Sequence, residues 1–342
     1  MADFDLQIIT THQCNLRCKH CYGSFGVKER SEITTKEIKT ALKDFKRLCN
    51  SLDINSDVHF SGGEPLLRED IYELIAYASK ISVRPVLLTN GILLTKEVIE
   101  KLVHAGLDSC QISIESSNKE LHESVRGQGT FDRVVEATRL LKSLTNIKTA
   151  LAIAVTKNNL AEVEEYVEFA LDRFGVDRVV FHRFVPMGRA NIEDALSPEQ
   201  HDTFLNRVIT LKQKYGKDKV SYTDPTLYGK ICGLDTSEDA IGGCSAGFAA
   251  LSIDANGDVF PCPRLPLKVG NIRKNSIYQI YNNSKILDKL RNRNNLKGKC
   301  GKCSYRFQCG GCRAYAYSLN KDAFAEDKLC ISPKNVNISK KN

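Results

Sequence analysis

The sequence predicts an α/β fold: a partial (β/α)6 TIM-like barrel followed by a small cysteine-rich domain. Three observations predict it. Residues 6 to about 190 alternate short β-type runs with longer helical patterns, the signature of βα units around a parallel sheet. From about residue 215 the pattern changes to short pieces rich in Gly, Pro and Cys. The 13 cysteines also divide unevenly, with five before residue 232 and eight from Cys232 to Cys330. The boundaries that follow are 1–220 for the barrel, 221–335 for the cysteine-rich domain and 336–342 for a disordered tail.

Six runs read as strands: Leu6–Thr10, Asp57–Phe60, Pro85–Thr89, Cys110–Ile114, Ala150–Val155 and Arg178–Phe184. Between them lie helix signals. Thr34-Thr35-Lys36-Glu37 has the form of a capping box, and Ile38, Leu42, Phe45 and Leu48 then recur at three- and four-residue spacing. A further helix spans Pro198 to Tyr215, and Asn256-Gly257 between Ala249–Ile253 and Val259-Phe260 reads as the turn of a β-hairpin. In parallel α/β sheets working residues gather at the C-terminal ends of strands, so the loop after each strand is where chemistry is expected.

Composition narrows the class. The chain has 342 residues, of which 42% are hydrophobic and 26% charged, and no apolar run approaches the ~18 residues of a membrane span. Its start, Met1-Ala2-Asp3-Phe4-Asp5-Leu6, carries no basic and apolar signal segment, so the expected compartment is the cytoplasm. There disulfides do not persist, and 13 cysteines point to metal or redox chemistry. The net charge of +8 is spread among acidic residues, and the densest basic run, Arg291–Lys299, reads as a solvated helix end. With no Trp and no basic stripe interleaved with aromatics, a nucleic-acid substrate is unlikely.

Cys14-x3-Cys18-x2-Cys21 places three thiols in the loop after the first strand. Structural zinc and fully ligated cubanes want four ligands, and no fourth cysteine lies near. Three thiolates on a [4Fe–4S] cluster leave one iron open to a small ligand. This spacing resembles the cluster loop of the radical S-adenosylmethionine (SAM) superfamily, whose members bind S-adenosyl-L-methionine at that iron. Ser61-Gly62-Gly63-Glu64-Pro65, after the second strand, resembles the GGEP motif of the same family. The resemblance implies that Gly62, Gly63, Glu64 and Pro65 receive the SAM amino group, with the Glu64 carboxylate taking part. It assigns Asn90 in Thr89-Asn90-Gly91, Ser113, Arg126 and the segment Val185-Pro186-Met187-Gly188-Arg189 to the rest of the SAM pocket.

The remaining cysteines resemble the SPASM extension of that superfamily, which carries two auxiliary iron–sulfur clusters. The pattern is Cys244, Gly257 and Cys262, then Cys300-x2-Cys303-x5-Cys309-x2-Cys312 and Cys330. By the family's interleaved ligation, Cys244, Cys262 and Cys312 hold the first auxiliary cluster with Cys232 as a possible fourth ligand. Cys300, Cys303, Cys309 and Cys330 hold the second. Three [4Fe–4S] clusters then use eleven cysteines, and Cys49 and Cys110 are left as core residues. Zinc ribbons are the bland alternative, disfavoured by the tight spacing between Cys303 and Cys309.

The chemistry implied is reductive cleavage of SAM to a 5′-deoxyadenosyl radical, hydrogen abstraction, and transfer of the substrate's electron to an auxiliary cluster. His182, Arg183 and Glu115 are polar residues placed to face the barrel mouth. The expected function is oxidative modification of a peptide or protein, by crosslinking or side-chain oxidation, preferred because maturation is the commoner use of this architecture. Val185–Arg189 and Cys309–Tyr317 also resemble alternative haem-synthesis enzymes that act on porphyrin propionates. Because the cluster loop begins at residue 14, a peptide substrate is expected to bind directly or through a separate leader-recognition protein, with a flavodoxin or ferredoxin as electron donor. The reading of a different class is a non-catalytic iron–sulfur or zinc scaffold. A scaffold has no need of an open iron or of GGEP.

Overall fold

The computed structural model describes residues 3–28, 31–222, 224–231 and 243–331; Cys232 and the tail at 336–342 lie outside them. All six expected strands form, each followed by helix. They are β1 (Asp3–Ile9) and α1 (Thr35–Leu52), β2 (Asn55–Ser61) and α2 (Ile71–Lys80), and β3 (Arg84–Thr89) and α3 (Lys96–His104). Then come β4 (Ser109–Ser113) with α4 (Lys119–Arg126) and α5 (Thr130–Leu144), β5 (Lys148–Val155) with α6 (Val163–Glu168), and β6 (Arg178–Arg183) with α7 (Pro198–Tyr215). Local chemistry sets these boundaries. Thr34 accepts from the Glu37 amide while Glu37 accepts from the Thr34 amide, and Ser197 and Gln200 close the same reciprocal cap on α7.

Strand alternation sorts the side chains. On β1, Phe4, Leu6 and Ile8 are fully buried, and α1 meets them with Ile38, Leu42, Phe45 and Leu48. The rings of Phe4 and Phe45 meet edge to face at 5.4 Å. Alternate residues line the lumen, several of them polar: Gln7 donates to Ser61 Oγ at 2.8 Å, and Gln111 pairs with His182 at 3.2 Å. Cys49 and Cys110 are fully buried in the outer core, where burial pushes the Cys49 thiol up to about 12.

Two additions to the sheet were not legible as barrel strands. β7 (Val220–Tyr222) pairs parallel to β6, so the sheet runs across residue 220, and α8 (Pro225–Ile231) follows it. The predicted hairpin forms as β8 (Ala250–Ile253) and β9 (Asp258–Phe260), with β10 (Gly270–Asn271) antiparallel beyond. β8 pairs parallel to β1, matching Leu6 with Leu251, so the cysteine-rich half covers the barrel's free edge. The order among the described residues is β10-β9-β8-β1-β2-β3-β4-β5-β6-β7. α9 (Ile277–Asn283) and α10 (Lys285–Arg291) lay Ile277, Ile280 and Leu287 on the barrel core. After α11 (Gly298–Lys302), α12 (Arg313–Asn320) belongs to a smaller core around Leu265, Leu290, Tyr315 and Leu329.

The expected solvated helix end at Arg291–Lys299 is corrected in part. Arg291 turns inward to the carbonyls of Gly247 and Tyr281, at 2.7 and 2.8 Å, and Arg293 is only 4% exposed. Unfilled carbonyls of a chain with little regular structure outbid water for these guanidinium groups. No helix of the described residues is long and apolar enough to cross a membrane.

Candidate active site

A cavity of 270 Å³ opens at the C-terminal ends of the strands, lined by Cys14, Cys18, Cys21, Gly62, Gly63, Asn90, Ser113 and Arg126 among others. The three-cysteine loop is held from two sides. On one, the Gly63 amide donates to the Thr11 carbonyl and the Glu64 amide to the Gln13 carbonyl, both at 2.9 Å. The backbones approach so closely that a Cβ on Gly63 would sit 2.2 Å from Gln13 O, and Gly62 has φ +142°. On the other side, the Arg189 amide donates to Cys21 O at 3.0 Å, and its guanidinium donates to Cys18 O at 3.0 Å and Phe25 O at 2.9 Å. Val185–Arg189 therefore does more than line a pocket. It clamps the loop that carries the thiols.

The glutamate of the GGEP motif is held within the protein. Its carboxylate is fully buried and accepts from the amides of Leu66 and Asn90, at 3.1 and 2.9 Å, and from Thr89 Oγ1 at 2.8 Å. Glu64 and Pro65 lie behind the cavity wall that Gly62 and Gly63 line, and buried Pro65 opens a short helical turn. The carboxylate fastens the end of β2 to the end of β3, because those loop amides have no strand partner. Burial pushes its pKa up to about 7 despite these donors.

All three expected mouth residues line the cavity, and two of them are also tied into ion pairs. Glu115 takes Arg126 at 2.5 and 2.9 Å and His20 at 3.0 Å. Burial alone would raise its pKa, but the two cationic partners outweigh burial and hold it well below the carboxylate range. The pairing leaves Arg126 Nη1 facing the Cys18 sulfur at 4.0 Å. Arg183 also lines the cavity, but its guanidinium runs into a buried network, donating to Asp224, to Thr226 at 3.0 Å and to Asp327 at 2.5 Å. His182 does line the cavity, and burial, with Arg264 adding to it, lowers its pKa to about 4. Asn90 stays at the cavity and donates to Asn15 Oδ1 at 2.7 Å.

The described cysteines of the second half gather in two sets. Cys244, Cys262 and Cys312 pack together against the small core, and Cys312 is pushed up to about 12 by burial, with Cys244 and Asp327 adding to it. Cys330 senses Cys300 and Cys303, and Cys309 senses Cys330. Asp327 stands between the sets. Its Oδ2 accepts from the Cys312 amide at 2.8 Å, its own amide faces Cys300 Sγ at 3.3 Å, and it holds Arg183. Glycines leave room around the thiols: a Cβ on Gly229 would lie 3.4 Å from Cys309 Sγ, and one on Gly243 would lie 2.1 Å from Gln308 O. Sequence reasoning did not anticipate Asp224, Asp327, His20 or Arg264. Two of them left a signal: His20 lies between Cys18 and Cys21, and Arg264 is a cation two residues from Cys262.

The comparisons agree with this architecture. The model of the radical SAM superfamily matches residues 8–170, and that of the SPASM iron-sulfur cluster-binding domain matches 244–304. An AdoMet-dependent heme synthase of Methanosarcina barkeri is 34% identical over 338 residues, covering 94% of both chains. The chain belongs to the radical SAM superfamily. The mycofactocin maturase MftC of Mycolicibacterium smegmatis is 29% identical, over 94% of this chain and 81% of its own. Streptococcus suis SuiB bound to S-adenosylmethionine superposes with TM-score 0.79 at 19% identity, over 96% of this chain and 77% of its own. The protein is therefore a radical SAM enzyme with a SPASM domain, and SAM and iron–sulfur clusters are its cofactors. The residues present fit them: three thiols open onto one cavity, and glycines keep the surrounding backbone close.

Proposed function

We propose that this radical SAM enzyme oxidises a carboxylate-bearing substrate at the barrel mouth, and that it holds three [4Fe–4S] clusters. Cys14, Cys18 and Cys21 would hold the first, Cys244, Cys262 and Cys312 the second, with Cys232 as its candidate fourth ligand, and Cys300, Cys303, Cys309 and Cys330 the third. Gly62, Gly63, Asn90, Ser113 and Arg126 would contact SAM. When bound, these groups supply the electron that breaks the sulfonium–C5′ bond and a sink for the electron the substrate sheds.

The observation that carries the substrate class is Arg264. It lines the cavity beside His182, donates one N–H to the Arg183 carbonyl at 2.8 Å, lies against the Cys262 thiol, and has no carboxylate partner among the described residues. The guanidinium edge that these two contacts leave at the cavity wall suits a carboxylate. Neutral His182 beside it accepts or donates one hydrogen bond without adding charge. Arg126, pinned by Glu115, presents its remaining edge to the thiols.

Two substrates carry such a carboxylate. A peptide or protein is the commoner substrate of the architecture, and a maturase is among the relatives. A porphyrin propionate is favoured by the higher identity of the heme synthase, which matches over 94% of both chains. We place the porphyrin first, with oxidative decarboxylation as the reaction. A leader-recognition protein belongs only to the peptide reading; a flavodoxin or ferredoxin donor in the cytoplasm and the division at 220/221 belong to both. The test is anaerobic reconstitution followed by SAM, dithionite and a propionate-bearing porphyrin. Carbon dioxide released with 5′-deoxyadenosine supports the reading. Deoxyadenosine without carbon dioxide, together with turnover of a peptide, replaces it.

A further inference from the structure

Arg293 is the least explained charge in the molecule. It is 4% exposed, yet its Nε and Nη1 atoms are buried with no hydrogen-bond partner. Only Nη2 is satisfied, by the Cys244 carbonyl at 2.6 Å. The guanidinium is fixed in place: it stacks on Phe248 at 4.7 Å, and the backbone of Gly310 lies so near that a Cβ there would be 2.6 Å from Arg293 Cζ and Nη1. Cys244 belongs to the first auxiliary set, and Gly310 directly follows Cys309 of the second. The cation thus stands between the two sets, in electrostatic contact with both thiols.

Its neighbour Arg313 shows what a satisfied arginine looks like here. Fully buried, Arg313 donates to the carbonyls of Gly311, Ala323 and Ala325 and turns Nη2 to Cys300 Sγ at 3.7 Å. Every edge is used. A buried guanidinium with two idle N–H groups is unfavourable unless an anion takes them, and among the described residues no carboxylate does. The groups that belong beside these cysteines are sulfur-rich and anionic.

From this geometry we propose that Arg293 is a cation shared by the two auxiliary clusters, donating N–H···S hydrogen bonds through Nε and Nη1 and favouring their reduced forms. It is a positioning and tuning residue. The inference rests on the auxiliary-cluster reading above and deepens it, since a cation between two clusters lowers the electrostatic cost of passing an electron from one to the other.

The experiment uses the reconstituted full chain, first counted for iron, with auxiliary midpoint potentials followed by EPR-monitored titration in parent, Arg293→Lys and Arg293→Met. The expected result is a lower potential for at least one auxiliary cluster in Arg293→Met, a smaller shift in Arg293→Lys, and an unmoved SAM cluster. Should Arg293→Met lose its clusters, parent and Arg293→Lys proteins labelled with 15N at the arginine guanidinium nitrogens decide the matter. Pulsed EPR then shows, beyond the 15N coupling of Arg313 beside Cys300 that both proteins share, a coupling in the parent that is absent from Arg293→Lys. Identical couplings, or unmoved potentials with about twelve irons bound, overturn the Arg293 assignment alone. About four irons per chain removes the acceptor and overturns the auxiliary-cluster reading with it.

Discussion

The two halves of this chain are held together by different physics. The barrel surrounds a continuous apolar core in which Phe4, Phe45, Phe60, Phe181 and Phe204 are fully buried, and its strands pair along their length. The cysteine-rich half has a core of a few residues, short helices and several buried cations, Arg293 and Arg313 among them. The first half can fold on burial alone. The second presents thiols in place of a core, and burial holds Cys309 and Cys312 near 12 and Cys330 near 11. Chain that buries so little apolar surface depends on what its cysteines bind.

The most severe way to test this division is to remove one cluster site at a time. Replacing Cys14, Cys18 and Cys21 together by Ala is expected to abolish 5′-deoxyadenosine release while iron remains in the C-terminal half. Retained cleavage would sink the assignment of the loop. Withholding iron altogether is expected to act in the opposite place. In hydrogen exchange, amides of α11 and α12 lose protection while β1 to β6 keep theirs; equal protection in both halves would show that the second half folds without metal.

The joint between the halves comes next. Arg183 at the end of β6 reaches Asp224 after β7 and Asp327 between the two cysteine sets, all three almost fully buried. Removing one partner of a buried pair leaves the other charge uncompensated, typically at about 3–5 kcal/mol. Asp327→Ala is therefore expected to lower the unfolding free energy by that order and to uncouple the two halves in thermal scans. A single unchanged transition would show that the joint is not structural.

Legibility followed the same division. Strand alternation, capping residues and the Asn-Gly turn exposed the barrel and the hairpin because each is a local pattern. The cysteine spacing marked the thiol sets for the same reason. What stayed hidden was pairing over long sequence distance. Nothing near Arg183 announces Asp327, 144 residues on. Nothing local distinguishes Arg293 from the solvated lysines around it. A motif also says which residue is present and not what its atoms meet within the chain, and the Glu64 carboxylate takes Leu66, Thr89 and Asn90.

Within the first half, the fit of GGEP against the cysteine loop gives a smaller effect. A Cβ at position 63 would meet Gln13 O at 2.2 Å and must displace the backbone that carries Cys14. A shift of an ångström in a catalytic constellation costs about 10²-fold in rate. Gly63→Ala is expected to slow SAM cleavage by that order with auxiliary iron unchanged. A loss confined to SAM affinity, with the maximal rate intact, would place Gly63 in ligand binding rather than in loop positioning.

Acid gives the mildest separation of the halves, because all 7 histidines lie at or before residue 201. His122 and His201 are buried and lowered to about 4, chiefly by burial, and each works as an acceptor: His122 Nδ1 takes the Glu115 amide at 3.2 Å, and His201 Nε2 faces Arg183 Nη2 at 3.1 Å. The unfolded chain protonates such groups near 6.5 and the folded chain only near 4. Below 6.5 the unfolded state therefore binds more protons, and stability falls as pH drops from 6.5 toward 4, by about 1 kcal/mol per histidine at pH 5.5. Glu64, raised to about 7, acts with the opposite sign, since the folded state binds its proton first and gains stability as pH falls from 7 toward 4.5. Comparing His122→Gln with its parent cancels that contribution. The variant is expected to lose less stability between pH 7.5 and 5.5 by about 1 kcal/mol in denaturant titrations. An unchanged pH slope would mean that His122 takes up its proton in the folded barrel, and the buried acceptor pairing with Glu115 would have to be abandoned.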